Sequence, residues 1–250
     1  MESFFATVVK VLVLMKNPAN ELRALSLWVV IVPLATINIC YPIAVAFEHV
    51  SACIPYLEGC TSVSSTGRNP PESLIFKTGM LSSAIVLALL WHQCADFLRQ
   101  GGQATWRVNL LRVFGFLAAL SLTLYAVTVG LKTAELRFLT RMGVNGFAIC
   151  NLLIEITFIV LYKPMRIIAT QKLFRWLIVF CIAIPLLGVA VEVAKWAGAP
   201  KHPSDKTVAW NAFVMVSAYY AVMARILWHH GYSGGRLTSP SHCRNGRSVQ

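Results

Sequence analysis

Long apolar runs, separated by short polar, basic or Gly/Pro-containing breaks, fill most of the chain. A hydrocarbon core of about 30 Å needs about 20 residues of apolar helix to cross it. Six runs meet that length, over roughly 25–47, 76–98, 108–131, 143–162, 173–194 and 208–228. The pattern predicts an all-α fold: a polytopic transmembrane bundle of six spans in one membrane domain, residues 25–228. Asn17-Pro18 reads as the start of the first helix, since Asn caps and Pro is tolerated at the first position. The apolar stretch before it is too short to span and is interrupted by Lys10, so residues 1–24 are expected to lie in the membrane interface. After Trp228 the chain turns polar and basic, and residues 229–250 are expected to form a disordered cytoplasmic tail.

Composition agrees with this pattern and changes one part of it. Hydrophobic residues make up 57% of the chain and charged ones 13%, against about 45–50% and 25% in soluble domains. The net charge of +12 would suit nucleic acid, but the basic residues sit in short clusters between apolar runs. That distribution reports topology and contact with anionic lipid, so nucleic acid is not expected as a partner. Of the 22 Lys and Arg, fourteen fall on the side that carries both termini and eight on the other. The excess predicts cytoplasmic N- and C-termini. Trp28, Trp91, Trp106, Trp176 and Trp228 fall near the expected inner boundary, Trp196 and Trp210 near the outer, as interfacial belts do.

Cys40, Cys94, Cys150 and Cys181 lie within spans, where a thiol acts as a small apolar group. Cys53 and Cys60 share the first non-cytoplasmic loop and are a candidate disulfide, the alternative being two free thiols. The scattered histidines and the absence of CxxC or HExxH predict no metal site and no cofactor.

Charges at span depth cost at least about 2.5–3.5 kcal/mol near the bilayer centre, so each needs a partner or a wet cavity. The candidates are His92 and Asp96 in the second span, Arg112 in the third and Glu155 in the fourth. His92 and Asp96, like Asn151 and Glu155, are four residues apart and share a helix face. The spacing allows one buried polar cluster linking spans two, three and four. Structural pairing, Asp96 with Arg112 above all, is the favoured reading over a lipid-binding or proton-coupled site. A catalytic set is the least favoured, because no nucleophile–base–orienter spacing is evident. Glu192 and Lys195 read as a local interfacial pair. No inverted repeat or paired broken spans suggest a transporter.

The most specific string follows the first span: Val63-Ser64-Ser65-Thr66-Gly67-Arg68-Asn69-Pro70-Pro71-Glu72-Ser73-Leu74-Ile75-Phe76. A turn and a Pro-Pro element precede a carboxylate that opens a spanning helix, where the helix dipole favours an anion. Ser64, Gly67, Pro70, Pro71 and Glu72 form a candidate site, read either as a helix start or as a functional surface at the headgroup level. In its residues and its position after the first of six spans, the string resembles the Frag/DRAM/Sfk family of membrane proteins. Relatives there typically carry Pro before the Ser turn and Asp after it, where this chain has Thr61 and Ser65. The resemblance implies a protein, more readily a non-enzyme, that organises or regulates membrane lipids or lipid-linked trafficking and autophagy. Its partners would be membrane lipids and other membrane proteins, in an endomembrane (ER, Golgi, lysosome) or the plasma membrane. The alternative it implies is an enzyme or enzyme subunit in lipid remodelling of GPI anchors, with Glu72 or Glu155 as carboxylate.

Overall fold

In hydrocarbon every backbone N–H and C=O must be satisfied within its own segment, so each apolar run has to become a helix. The computed structural model describes residues 18–131, 133–197 and 203–230. Residues 1–17 of the expected interfacial segment and 231–250 of the expected tail lie outside these residues, as do the side chains of Glu192 and Lys195, whereas 18–24 belong to the first long helix and bury Leu22 in the core instead of lying in the interface. Six long helices result: α1 (Pro18–Ala46), α2 (Glu72–Gln100), α3 (Thr105–Thr128), α4 (Ala134–Tyr162), α5 (Gln171–Trp196) and α6 (Pro203–His229). All six are long and apolar enough to cross a membrane, and the described residues contain no strand. The protein is an all-α, multi-pass integral membrane protein.

The fourth helix starts nine residues earlier than its apolar run, since 143 − 134 = 9. Thr133 caps it, its Oγ1 accepting from the Leu136 N–H, and Glu135 sits in the first turn where the dipole favours an acid. Arg137 and Arg141 end the apolar pattern there without ending the helix.

Consecutive helices pack side by side and α6 returns against α1, closing the bundle into a ring with one loose joint, between α4 and α5. The α3–α4 joint is tight for a specific reason. A Cβ at Gly143 would come within 2.7 Å of the Tyr125 backbone nitrogen, and one at Gly146 within 2.8 Å of the Ser121 hydroxyl. Small residues let the two backbones approach, as in other membrane helix pairs. At the loose joint, by contrast, α4 and α5 meet beside their connection, where the Tyr162 and Phe174 rings lie 5.9 Å apart. A Cβ at Gly188, further along α5, would meet nothing within 4 Å.

The core has two layers. One gathers Trp91, Phe97, Phe158, Tyr162, Tyr219 and their neighbours; the other gathers Ile37, Phe76, Met80, Tyr125 and Trp210. Two tryptophans expected in the interfacial belts are therefore core residues. Trp91 and Trp210 are wholly buried, each with its indole N–H bonded internally, whereas Trp106, Trp176 and Trp196 remain exposed as a belt requires.

Candidate functional site

The first loop is fastened to the bundle at several points. Cys53 and Cys60 form a disulfide around the helical turn Pro55–Glu58. From α6, Lys206 Nζ donates to the Cys60 carbonyl, the Trp210 indole to the Thr61 carbonyl and the Asn211 amide to the Tyr56 carbonyl, each at 2.9 Å. The Tyr41 hydroxyl of α1 accepts from the Cys53 N–H at 2.8 Å. Ser62 caps a short 3₁₀ turn, Val63–Gly67, and the Ser64 hydroxyl lies 3.1 Å from that of Ser62.

Gly67 ends that turn against the ring of Phe76, which a Cβ would overlap. Its φ is not positive, so the glycine is required by close packing and not by a left-handed backbone. Pro70 and Pro71, joined by a cis peptide bond, are exposed. Glu72 is not. It is wholly buried, its Oε1 is 2.7 Å from Nδ1 of His49, and its Oε2 has no partner. Of the two readings of the string, a headgroup-level surface does not suit Glu72, whose side chain is wholly buried and meets His49 internally. His49 was invisible as a partner, lying 23 residues away beyond an irregular loop.

The polar residues at span depth form two groups instead of one cluster. Arg112 bridges Asp96 at 2.6 Å and Asn109 at 3.0 Å, and His92 Nε2 lies 3.5 Å from the other Asp96 oxygen. The side chains of His92, Asp96 and Arg112 are 60%, 34% and 25% exposed, which places this group on the outer face of α2 and α3 near their connection. Glu155 is elsewhere. It is buried in the interior among α2, α4 and α6, and none of the ion pairs of the described residues includes it.

Glu155 ends a directed chain of hydrogen bonds. The Trp91 indole can only donate, and gives its N–H to the Tyr220 hydroxyl at 3.2 Å. Tyr220 donates onward, to Asn151 Oδ1 at 2.6 Å. In that amide orientation Asn151 Nδ2 donates to Glu155 Oε1 at 2.5 Å. Glu155 Oε2 has no hydrogen bond among the described residues. The i, i+4 pair of Asn151 and Glu155 was readable from sequence; Trp91 and Tyr220, 129 positions apart, were not.

This chain borders a cavity of about 480 Å³ between the two core layers, within the range of about 300–1,000 Å³ usual for small-molecule sites. Val144, Ala148 and Ile149 of α4 and Ile184, Pro185 and Gly188 of α5 line the side toward the loose joint. Glu155, Asn151 and Tyr220 line the end nearest the α4–α5 connection. From Val144 to Glu155 the cavity follows roughly 16 Å of helix at 1.5 Å per residue. Pro33 and Pro185 both face it, and each proline leaves one helical carbonyl, that of Val29 and of Cys181, without its usual donor. His92 is not among the lining residues. Comparison with protein-family models, with curated proteins and with solved structures found no match to the chain.

Proposed function

We propose that the protein holds a membrane lipid inside its bundle, entering sideways between α4 and α5, and so organises or regulates lipids of its membrane. The observation that carries this reading is the apolar cavity at the one loose joint of the ring, with a polar end at Asn151, Glu155 and Tyr220. An aqueous transport route would need a polar lining, and here most lining residues are apolar. The Frag/DRAM/Sfk resemblance of the Val63–Phe76 string points the same way, toward lipid-linked trafficking or autophagy in an endomembrane or the plasma membrane. The charge excess supports cytoplasmic termini in either location.

Native mass spectrometry of protein purified in mild detergent tests the reading. The expected spectrum carries one lipid adduct that Ala148→Trp, at the cavity wall, removes. A lipid-free spectrum from repeated gentle preparations rules the reading out. One observation favours a second reading, enzymatic remodelling of lipid anchors: the buried carboxylate of Glu72 orients the imidazole of His49, an arrangement that activates a histidine elsewhere. Recovering the lipid chemically converted after incubation would favour that reading; recovering it unchanged favours holding.

A further inference from the structure

The polar atoms at the closed end of the cavity leave two hydrogen-bonding positions open. Asn151 Nδ2 carries two N–H groups, and Glu155 Oε1 takes one of them. Glu155 Oε2 takes none from the described residues. The Tyr220 proton and the Asn151 carbonyl are already committed to each other. At this end what remains is one amide donor beside one carboxyl oxygen, in a cavity with no Lys, Arg or His; the Ser83 and Ser217 hydroxyls that also line it give their protons to carbonyls of their own helices.

A hydroxyl group fits both positions. It accepts from the amide and donates to the carboxylate, or accepts from a protonated carboxyl, so it satisfies Oε2 in either protonation state. An ether or ketone can only accept and leaves an ionised Oε2 bare. An ammonium can only donate and leaves the amide unpaired. A phosphate would bring negative charge beside Glu155 with no cation to offset it, a severe cost in an apolar medium.

We infer that the cavity takes an uncharged amphiphile with a hydroxyl head, the hydroxyl seated on Asn151 and Glu155 and the apolar body lying toward the α4–α5 gap. This rests on the lipid-holding reading and adds the head chemistry that the site selects. The apolar wall of Ala148, Ile149, Ile184 and Gly188 admits any long chain, so selection falls on the head alone.

The test uses the full chain in phospholipid nanodiscs and four photoactivatable probes sharing one diazirine-bearing alkyl chain: the alcohol, its methyl ether, the amine and the phosphate monoester. Cross-linked peptides are located by mass spectrometry. The alcohol should label the α4 and α5 segments that line the cavity about tenfold more than the others, the effect of one hydrogen bond to a carboxyl group. Glu155→Leu should bring alcohol labelling down to the level of the ether, and leave ether labelling unchanged. Gly188→Trp, placed where a Cβ meets nothing within 4 Å beside the cavity, should abolish labelling by every probe. Amine or phosphate labelling equal to that of the alcohol overturns the hydroxyl assignment and leaves lipid holding in place. No cavity labelling by any probe overturns both. Should Glu155→Leu fail to fold, the ranking of the four heads on the unaltered protein still decides.

Discussion

Replacing Glu72 by Gln separates a buried carboxylate–imidazole contact from a simple helix start. If the carboxylate only complemented the helix dipole, Gln would cost a few tenths of a kcal/mol, at most about 1. In the structure Glu72 is wholly buried and its Oε1 is 2.7 Å from His49 Nδ1. Losing a hydrogen bond to a buried charged group costs about 1.5–3 kcal/mol. The His49 side chain keeps 26% of its exposure, so water screens part of that loss and about 2 kcal/mol is the expected cost. For a chain of this size that lowers the melting temperature by roughly 4–8 °C. A double-mutant cycle isolates the contact: His49→Phe and Glu72→Leu should each destabilise, and together should cost less than their sum by about 1–2 kcal/mol. The double variant also removes the unpaired Oε2, whose burial is itself unfavourable. Thermal unfolding in detergent, followed by near-UV circular dichroism, measures the wild type and these four variants. A Glu72→Gln protein that melts with the wild type, or singles that add, would refute the pair.

Three further outcomes follow from other parts of the fold. Gly67→Ala should destabilise by about 1–3 kcal/mol through overlap with the Phe76 ring, and Phe76→Leu in the same chain should recover part of it in thermal melts. Cys60→Ser should open Cys53 to thiol labelling and cost about 2.5 kcal/mol by the loop-entropy relation for a separation of 7, whereas equal labelling of both in untreated protein would exclude the bridge. His230, just past α6, bonds the Tyr162 hydroxyl at 2.7 Å, and burial, then the neighbouring His229, hold its pKa below the ordinary histidine value. A depressed histidine contributes stability above its unfolded pKa of about 6.5 and loses it as pH falls through the folded value. The melting temperature should therefore drop between neutral and mildly acid pH, and His230→Gln should flatten that dependence.

What the sequence made legible follows from what a membrane imposes locally. Each span had to supply its own hydrogen bonds and about 20 apolar residues, so six helices were readable in order with ends near those observed. The exception, α4, shows the limit of hydropathy: Arg137 and Arg141 end the apolar pattern but not the helix, which Thr133 caps further out. Side-chain placement depends on neighbours distant in sequence. Trp91 and Trp210 look interfacial by position, yet each finds a buried acceptor on another element. His49 and Glu72 meet only because the loop folds back over α2, and Tyr220 reaches Asn151 from 69 residues away. The i, i+4 pair of Asn151 and Glu155 was readable because its geometry belongs to one helix. The cavity beside it was not, since it arises where α4 and α5 fail to pack.

A density map of the protein in a lipid nanodisc tests that cavity most directly. The account predicts an elongated, chain-like density entering between α4 and α5 beside Ile184 and Gly188 and ending within hydrogen-bonding distance of Asn151 and Glu155. Closely packed α4 and α5 along their whole length, with no space beside Glu155, would contradict it.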